Sequence, residues 1–359
     1  MSKALLITLE YPPDHGGVAR YLGNIYSRLS SENLIVLAPK NPKALEPDFH
    51  QKYKIYRRKF NAWWIWPKWK IISWHVLKIL WLEKITEIHI SHILPIGYVA
   101  YIYRKIFNIP YIVYAHGMDI LLPQTSVWKN FWLKKILKNA RQIISNSYFT
   151  KNEIVKLGLP ENKIKVIYPC VKEGPPLTEE VLENLKIKYN LDGKKIILSV
   201  GRLVARKGFD QAIEVMSKIL GIVPNTVYVI IGSGPYLIEL QAKSHGLPVI
   251  FINNIGDNEL DCWYKLCDVF AMPARQIGPD VEGFGIVFLE AALRGKSSVG
   301  GRSGGVPEAI EDGKTGILAD PLNIDEIATA LIKLLRDDKL RSGMGEAAKQ
   351  RVLEKFICK

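Results

Sequence analysis

The sequence predicts an α/β protein of two tandem domains, each a parallel β-sheet covered by helices on both faces. Three observations predict it. The chain has 359 residues, enough for two domains of ordinary size with separate cores. Short apolar strand-like runs alternate with helix-like stretches along its length, the pattern of parallel strands joined by crossover helices. That alternation breaks in CVKEGPPLTEE, Cys170 to Glu180, and then restarts. Its Gly-Pro-Pro and its switch to acidic residues suit an interdomain linker. The expected domains are therefore 1–170 and 171–359, the last helix being free to pack back on the first domain.

The elements follow in order. KALLITLE reads as a buried strand, YPPDHGG as a loop broken by Pro12, Pro13, Gly16 and Gly17, and VARYLGNIYSRLS as a helix. Strand-like runs recur at NLIVLAPK, EIHISHI, PYIVYAHG, QIISNS and KIKVIYP. Beyond the linker, KKIILSVG, TVYVIIG, PVIFIN, DVFAMPA and SSVGG read as strands. GFDQAIEVMSKIL, ELDCWYKLC and GIVFLEAALRG read as helices, and two more, 324–336 and 339–355, end the chain. These are two Rossmann-like domains. Ligands of such sheets sit beyond the carboxyl ends of the strands.

Charge divides the chain. Residues 1–170 hold 25 Lys+Arg and 10 Asp+Glu, or +15; residues 171–359 hold 24 and 25, or −1. The basic excess belongs to the first half and points to an anionic partner there. Four cysteines without a C-x-x-C pair read as reduced thiols of a cytosolic protein. MSKALLITLEYPPD makes a poor signal peptide.

Four stretches carry candidate chemistry. In DHGGV, Gly16 and Gly17 let backbone N–H groups approach an anion at a helix start. An ordinary strand-to-helix turn explains this motif as well. In GRLVARKGFD, Arg202 and Lys207 follow a strand and would bracket a diphosphate, arginine as a planar fork and lysine as a point charge. A solvated basic loop is the rival reading, and Arg206 makes the run look like one. In VEGFGIVFLEAALRGK, seven residues separate Glu282 from Glu290, and Gly283 and Gly285 lead into a helix. That helix start favours anionic oxygen, and the carboxylates would accept bonds from ribose and sugar hydroxyls. A Glu290 that merely complemented the helix dipole would leave Glu282 and both glycines unexplained. In YAHGMD, His116 stands at a strand's carboxyl end before Gly117. A lone histidine is more often structural, and this position weakens that reading.

These motifs together resemble the family-four retaining glycosyltransferases of the GT-B fold. Glu282 and Glu290 match that family's two glutamates seven residues apart. DVEGFGIVFLEAALRGK, GRSGGVPEAI, DGKTGILAD and SVGRLVARKG match its donor domain, and GGV its first loop. DVEG and YAHGMD look most like bacterial phosphatidylinositol mannosyltransferases and other lipid- or polysaccharide-building members. The resemblance implies that Arg202 and Lys207 hold the diphosphate of a nucleotide-sugar donor and that Glu290 holds the ribose. It implies that Glu282 and the backbone of Gly283, Phe284, Gly285, Ile286 and Val287 hold sugar and phosphates. Gly16 and Gly17 would approach the diphosphate, and His116 the sugar near the reacting carbon. Asn254 and Ile255 would meet the base, although Asn253 stands where many relatives have glycine. Of these, His116, Glu282, Arg202 and Lys207 would be catalytic. GDP-mannose is the favoured donor, with a UDP-sugar as the other choice. The expected mechanism is front-face attack in which the leaving phosphate helps deprotonate the acceptor. The chain has no D-x-D triad, so no obligatory metal or cofactor is expected.

RRKFNAWWIWPKWKIISWHVLKILW, Arg57 to Trp81, holds six of the nine tryptophans, and Trp128 and Trp132 follow in SVWKNFWLKKILKNAR. Tryptophan beside lysine is the composition of a membrane interface. Three lysines and Pro67 between Trp63 and Leu82 argue against a spanning helix. A buried aromatic core is the second reading and single-stranded nucleic acid the third. The expectation is a cytoplasmic enzyme, peripheral on the inner face of the membrane, acting on a lipid-linked or membrane-proximal glycan acceptor. The alternatives are a GT-B sugar-nucleotide epimerase and, in another class, a basic nucleic-acid-binding protein.

Overall fold

The computed structural model describes residues 3–14, 16–27, 33–44, 48, 51–60, 67, 69–174 and 176–358. It divides into two compact units, Met1–Pro169 with Cys358–Lys359, and Cys170–Ile357. The first is a seven-stranded sheet of β1 (Ala4–Ile7), β2 (Leu34–Pro39), β3 (Lys54–Arg58), β4 (Glu87–Ile90), β5 (Tyr111–Ala115), β6 (Gln142–Ser145) and β7 (Ile164–Val166), ordered β3-β2-β1-β4-β5-β6-β7. The second is a six-stranded sheet of β8 (Lys195–Val200), β9 (Thr226–Ile231), β10 (Val249–Ile252), β11 (Val269–Met272), β12 (Ser297–Gly301) and β13 (Gly316–Ala319), ordered β10-β9-β8-β11-β12-β13. Every strand pair described is parallel. The expected α/β class with two Rossmann-like sheets is what the chain adopts.

Alternation of side chains across each strand builds a core on each face of the first sheet. Leu5 and Ile7 of β1 join Ile35, Leu37 and Val113 on one face. Leu6 joins Leu34, Val36 and Tyr114 on the other. Strands buried on both faces need apolar residues at nearly every position, which is why they read as continuous apolar runs. Strand order reverses at β1/β4 in the first sheet and at β8/β11 in the second. The crevices at the carboxyl ends of those strands are where ligands of such sheets bind.

Several expectations change. The strand Lys54–Arg58 was not anticipated, because KIYRR is an edge strand with half-exposed, charged positions. Gly316–Ala319 was likewise read only as part of a motif. GFDQAIEVMSKIL is two short helices, Phe209–Glu214 and Met216–Leu220, rather than one. The reading of four reduced thiols is corrected: Cys170 and Cys358 are disulfide-bonded, and only Cys262 and Cys267 are free. Helix 324–336 starts as expected, with Asn323 Oδ1 accepting from the Asp325 and Glu326 amides.

The described tryptophans of this region differ in burial. Trp63, Trp64, Trp66 and Lys68 lie outside the described residues. Trp69 and Trp132 pack against the first unit's core, while Trp74, Trp81 and Trp128 are 57%, 85% and 65% exposed.

Candidate functional site

In the second unit the site is built on loops that leave β8 and β11. After β8 the chain turns at Gly201 and Arg202 and coils through Ala205–Lys207. Gly232 packs flush on this loop, and a Cβ there would collide with the Gly201 carbonyl. The Lys207 side chain is only 9% exposed, and its Nζ lies 2.6 Å from Glu282 Oε2. Arg206 Nη1 reaches the same oxygen at 2.5 Å, and its Nε pairs with Asp280 Oδ1 at 2.8 Å. Burial by itself would raise the Glu282 carboxyl, but the charges of Lys207 and Arg206 outweigh it and hold its pKa at about 2. The site therefore keeps an ionised carboxylate between two cations.

The loop is braced from behind. Arg275, which follows β11, makes a bidentate pair with the buried Asp210 at 3.1 and 2.8 Å, and its amide donates to the Arg206 carbonyl at 2.8 Å. Arg206, which lent weight to the rival reading of a solvated basic loop, is a member of the cluster. Its role depends on Glu282, 76 residues away, and no local pattern signals this or its pairing with Asp280. Arg202 is exposed and joins no ion pair among the described residues.

Glu282 is followed by the glycine turn. The Gly305 amide donates to the Glu282 carbonyl at 2.9 Å. A Cβ at Gly304 or Gly305 would collide with the carbonyls of Glu282 and Gly283. Gly285 has φ +91°, and from it the helix Ile286–Leu293 starts. Phe284 and Ile286 bury their side chains and Val287 is half-buried, so main chain is what the turn has to offer an anion. Glu290 lies one turn into the helix and accepts from Tyr264 Oη at 2.8 Å. Tyr264 was missed by the sequence reading, and its apolar neighbours gave no sign of it. Asn254, exposed with φ +54°, and Ile255 follow the end of β10.

In the first unit Gly16 and Gly17 follow β1. Gly16 precedes the helix Gly17–Tyr26, and a Cβ on it would meet the Glu10 carboxylate. A Cβ on Gly17 would enter open space, so no contact within the protein requires glycine there. His116 stands at the end of β5. Its amide donates to Asp119 Oδ1 at 2.8 Å, and its ring meets Tyr21 edge-on at 5.3 Å. Its Nε2 is buried with no hydrogen-bond partner among the described residues, as is Asp119 Oδ2. Burial, reinforced by the neighbouring His92, lowers the His116 imidazole to about 3. Burial raises the Asp119 carboxyl to about 7 despite main-chain hydrogen bonds. His116 is thus neutral at ordinary pH and acts as a dipole rather than a charge.

Residues 15–173 match the family described as Glycosyltransferase Family 4, and residues 182–351 match Glycosyl transferases group 1. The chain is 30% identical to the GDP-mannose-dependent alpha-(1-6)-phosphatidylinositol monomannoside mannosyltransferase of Mycolicibacterium smegmatis, over 98% of this chain and 94% of that one. It is 28% identical to the monoacylated-substrate counterpart of Corynebacterium glutamicum, over 98% and 93%. Among solved structures it is similar to Anabaena Alr3699/HepE in complex with UDP and glucose, with TM-score 0.80, 19% identity and coverage of 100% and 96%. It is also similar to the sucrose-phosphate synthase of Thermosynechococcus elongatus, with TM-score 0.81, 19% identity and coverage of 99% and 95%.

Proposed function

The chain belongs to the family-four glycosyltransferases of GT-B fold, and on that premise we propose that it moves mannose from GDP-mannose, with retention at the anomeric carbon, to a lipid-linked acceptor at a membrane surface. It is a glycosyltransferase that uses a nucleotide sugar. The donor sugar and acceptor proposed here follow those named for the mycobacterial relatives. The relatives' activities also favour transfer over epimerisation.

The observation that carries the mechanism is the cluster of Lys207, Arg206 and Glu282 beside the Gly283–Gly285 turn. Lys207 has three N–H donors and spends one on Glu282, which leaves donors for a phosphate. Arg202, exposed and without an ion pair among the described residues, would add a second cation to the same diphosphate. Glu282, held ionised, accepts bonds from sugar hydroxyls; a carboxylate fastened by two cations is a poor nucleophile. In the step we propose, the bond from C1 to the phosphate oxygen breaks as the acceptor oxygen bonds C1 on the same face. The acceptor proton passes to the departing phosphate. Lys207, Arg202 and the helix start would stabilise the charge growing on that phosphate. Glu290, oriented by Tyr264, would hold the ribose, Asn254 and Ile255 the base, and His116 the transferring sugar.

Docking on an anionic membrane is supported by the +15 charge of residues 1–170 and by the exposed Trp74, Trp81 and Trp128. A cavity of about 700 Å³ at the amino ends of β5, β6 and β7, lined by Arg104, Lys105, Lys138, Arg141 and Lys163, adds to the basic surface. Among the described residues no helix is long and apolar enough to cross a membrane.

The test is a thermal-shift comparison of GDP-mannose, UDP-glucose and UDP-N-acetylglucosamine, followed by transfer to phosphatidylinositol monomannoside and NMR of the new anomeric centre. A shift with GDP-mannose and an α-linked product are expected. A response confined to UDP-sugars would overturn the donor, and a β-linked product would overturn retention.

A further inference from the structure

The end of β4 carries a second histidine that the reaction scheme has not used. Thr8 and Ser91, both fully buried, follow β1 and β4 at the point where strand order reverses. Thr8 Oγ1 lies 2.6 Å from the Glu10 carbonyl, which only accepts, so the Thr8 hydroxyl proton is committed there. Ser91 Oγ lies 2.8 Å from Thr8 Oγ1 and must donate to it. Having spent its proton, Ser91 Oγ can only accept from His92 Nδ1, 2.9 Å away. The chain of bonds has one consistent direction, and it places the proton of the neutral imidazole on Nδ1. His92 Nε2 is then a bare lone pair, with no hydrogen-bond partner among the described residues. The His92 ring lies 6.4 Å from that of His116.

We propose that His92 is a binding residue of the transfer site, its Nε2 accepting a hydrogen bond from the attacking hydroxyl of the acceptor, and that Thr8 and Ser91 are positioning residues that fix its tautomer. This rests on the reading of the chain as a transferase whose first unit holds the acceptor. His92 orients the hydroxyl and takes no proton. Burial lowers its pKa to about 4, which makes it a weak base, and the proton still leaves with the phosphate. An acceptor without its own proton at that nitrogen selects a hydroxyl over an ether or a carbonyl. The lone pair thus discriminates for the group that must react.

Two measurements test this. The first is ¹⁵N NMR of the full chain with labelled histidine, His92 being assigned by its loss in His92→Phe. Wild type should show a protonated Nδ1 and a bare Nε2. Thr8→Val removes the acceptor for Ser91, whose hydroxyl is then free to donate to Nδ1 and drive the proton to Nε2. Thr8→Ser should keep the wild-type pattern. A protonated Nε2 in wild type would overturn the proposal. The second is transfer from GDP-mannose to phosphatidylinositol monomannoside. His92→Phe and Thr8→Val should each raise the acceptor KM about tenfold, leave GDP-mannose affinity within about twofold, and be rescued by Thr8→Ser in the second case. An unchanged acceptor KM in His92→Phe, or a loss confined to donor affinity, would overturn the role of His92 while leaving the transferase reading intact. Wild type that transfers from no nucleotide sugar would overturn that reading and the assigned hydroxyl with it, and the NMR result would still decide the tautomer.

Discussion

Lys207 Nζ lies 2.6 Å from Glu282 Oε2, and both side chains are largely buried. Removing one partner strands the other charge. Glu282→Gln should therefore destabilise the folded chain by roughly 3–5 kcal/mol, the range for breaking a buried pair. The same pair sets an acid limit. The Glu282 carboxyl is held at about 2 in the folded chain against 4.5 unperturbed. Its contribution is complete above about 4.5 and is lost as pH falls towards 2. Urea unfolding across pH 2–6 should show this slope in wild type and a smaller one in Glu282→Gln; equal slopes would remove the pair from the acid limb.

Arg202 and Arg206 should separate stability from turnover. Arg202 is exposed and joins no ion pair among the described residues, so Arg202→Ala should change stability by no more than about 0.5 kcal/mol while lowering kcat. Arg206→Ala leaves Glu282 with one cation fewer and should lower both. Steady-state kinetics beside thermal unfolding distinguishes them. Normal kcat in Arg202→Ala would take that side chain out of the reaction.

The Tyr264–Glu290 bond predicts a graded loss of donor affinity. Glu290→Ala removes a charged acceptor of hydroxyl bonds and should cost about 1.5–3 kcal/mol of GDP-mannose binding. Tyr264→Phe removes only the group that orients it and should cost about 0.5–1.5 kcal/mol. Calorimetry reads both, and unchanged affinity in a folded Glu290→Ala chain would refute the ribose assignment.

His116 and Asp119 should oppose each other in pH dependence. His116 titrates near 3 when folded and near 6.5 when unfolded, so the unfolded chain binds more protons between those values and stability rises with pH. Asp119 titrates near 7 when folded and 3.8 when unfolded, so the folded chain binds more and stability falls as pH rises through that window. His116→Asn should leave a net loss of stability from pH 4 to 7, and Asp119→Asn a net gain. Denaturation midpoints at fixed ionic strength check the signs.

Binding to anionic vesicles should have two parts. Attraction of the basic surface is screened over about 10 Å at 0.1 M salt, whereas aromatic insertion is not. Flotation should weaken with salt without vanishing. Trp74, Trp81 and Trp128 are exposed, so replacing them with serine should remove the salt-resistant part and leave GDP-mannose binding intact. Wild type that fails to float at low salt would refute membrane docking.

The sequence by itself determined the class of fold and the alternation of strand and helix, and it marked the stretches proposed to bear the site. These are local properties. A strand buried on both faces must be apolar throughout, and a glycine before a helix shows in its neighbours. Hence the Gly283–Gly285 turn and the helix it opens were legible, as was the helix at 324–336, while Glu282, Glu290 and Lys207 stand as proposed site residues. Only the tertiary structure decided what each side chain meets. Arg206 was indistinguishable from a solvated cation until Glu282 and Asp280, from a distant loop, closed on it. Tyr264 looked like any aromatic on an apolar helix face until Glu290 came within 2.8 Å. The tautomer of His92 needed Thr8, 84 positions earlier, to receive the Ser91 proton. Charge pairing and hydrogen bonding act over a few ångströms of space, and separation along the chain carries no trace of that distance.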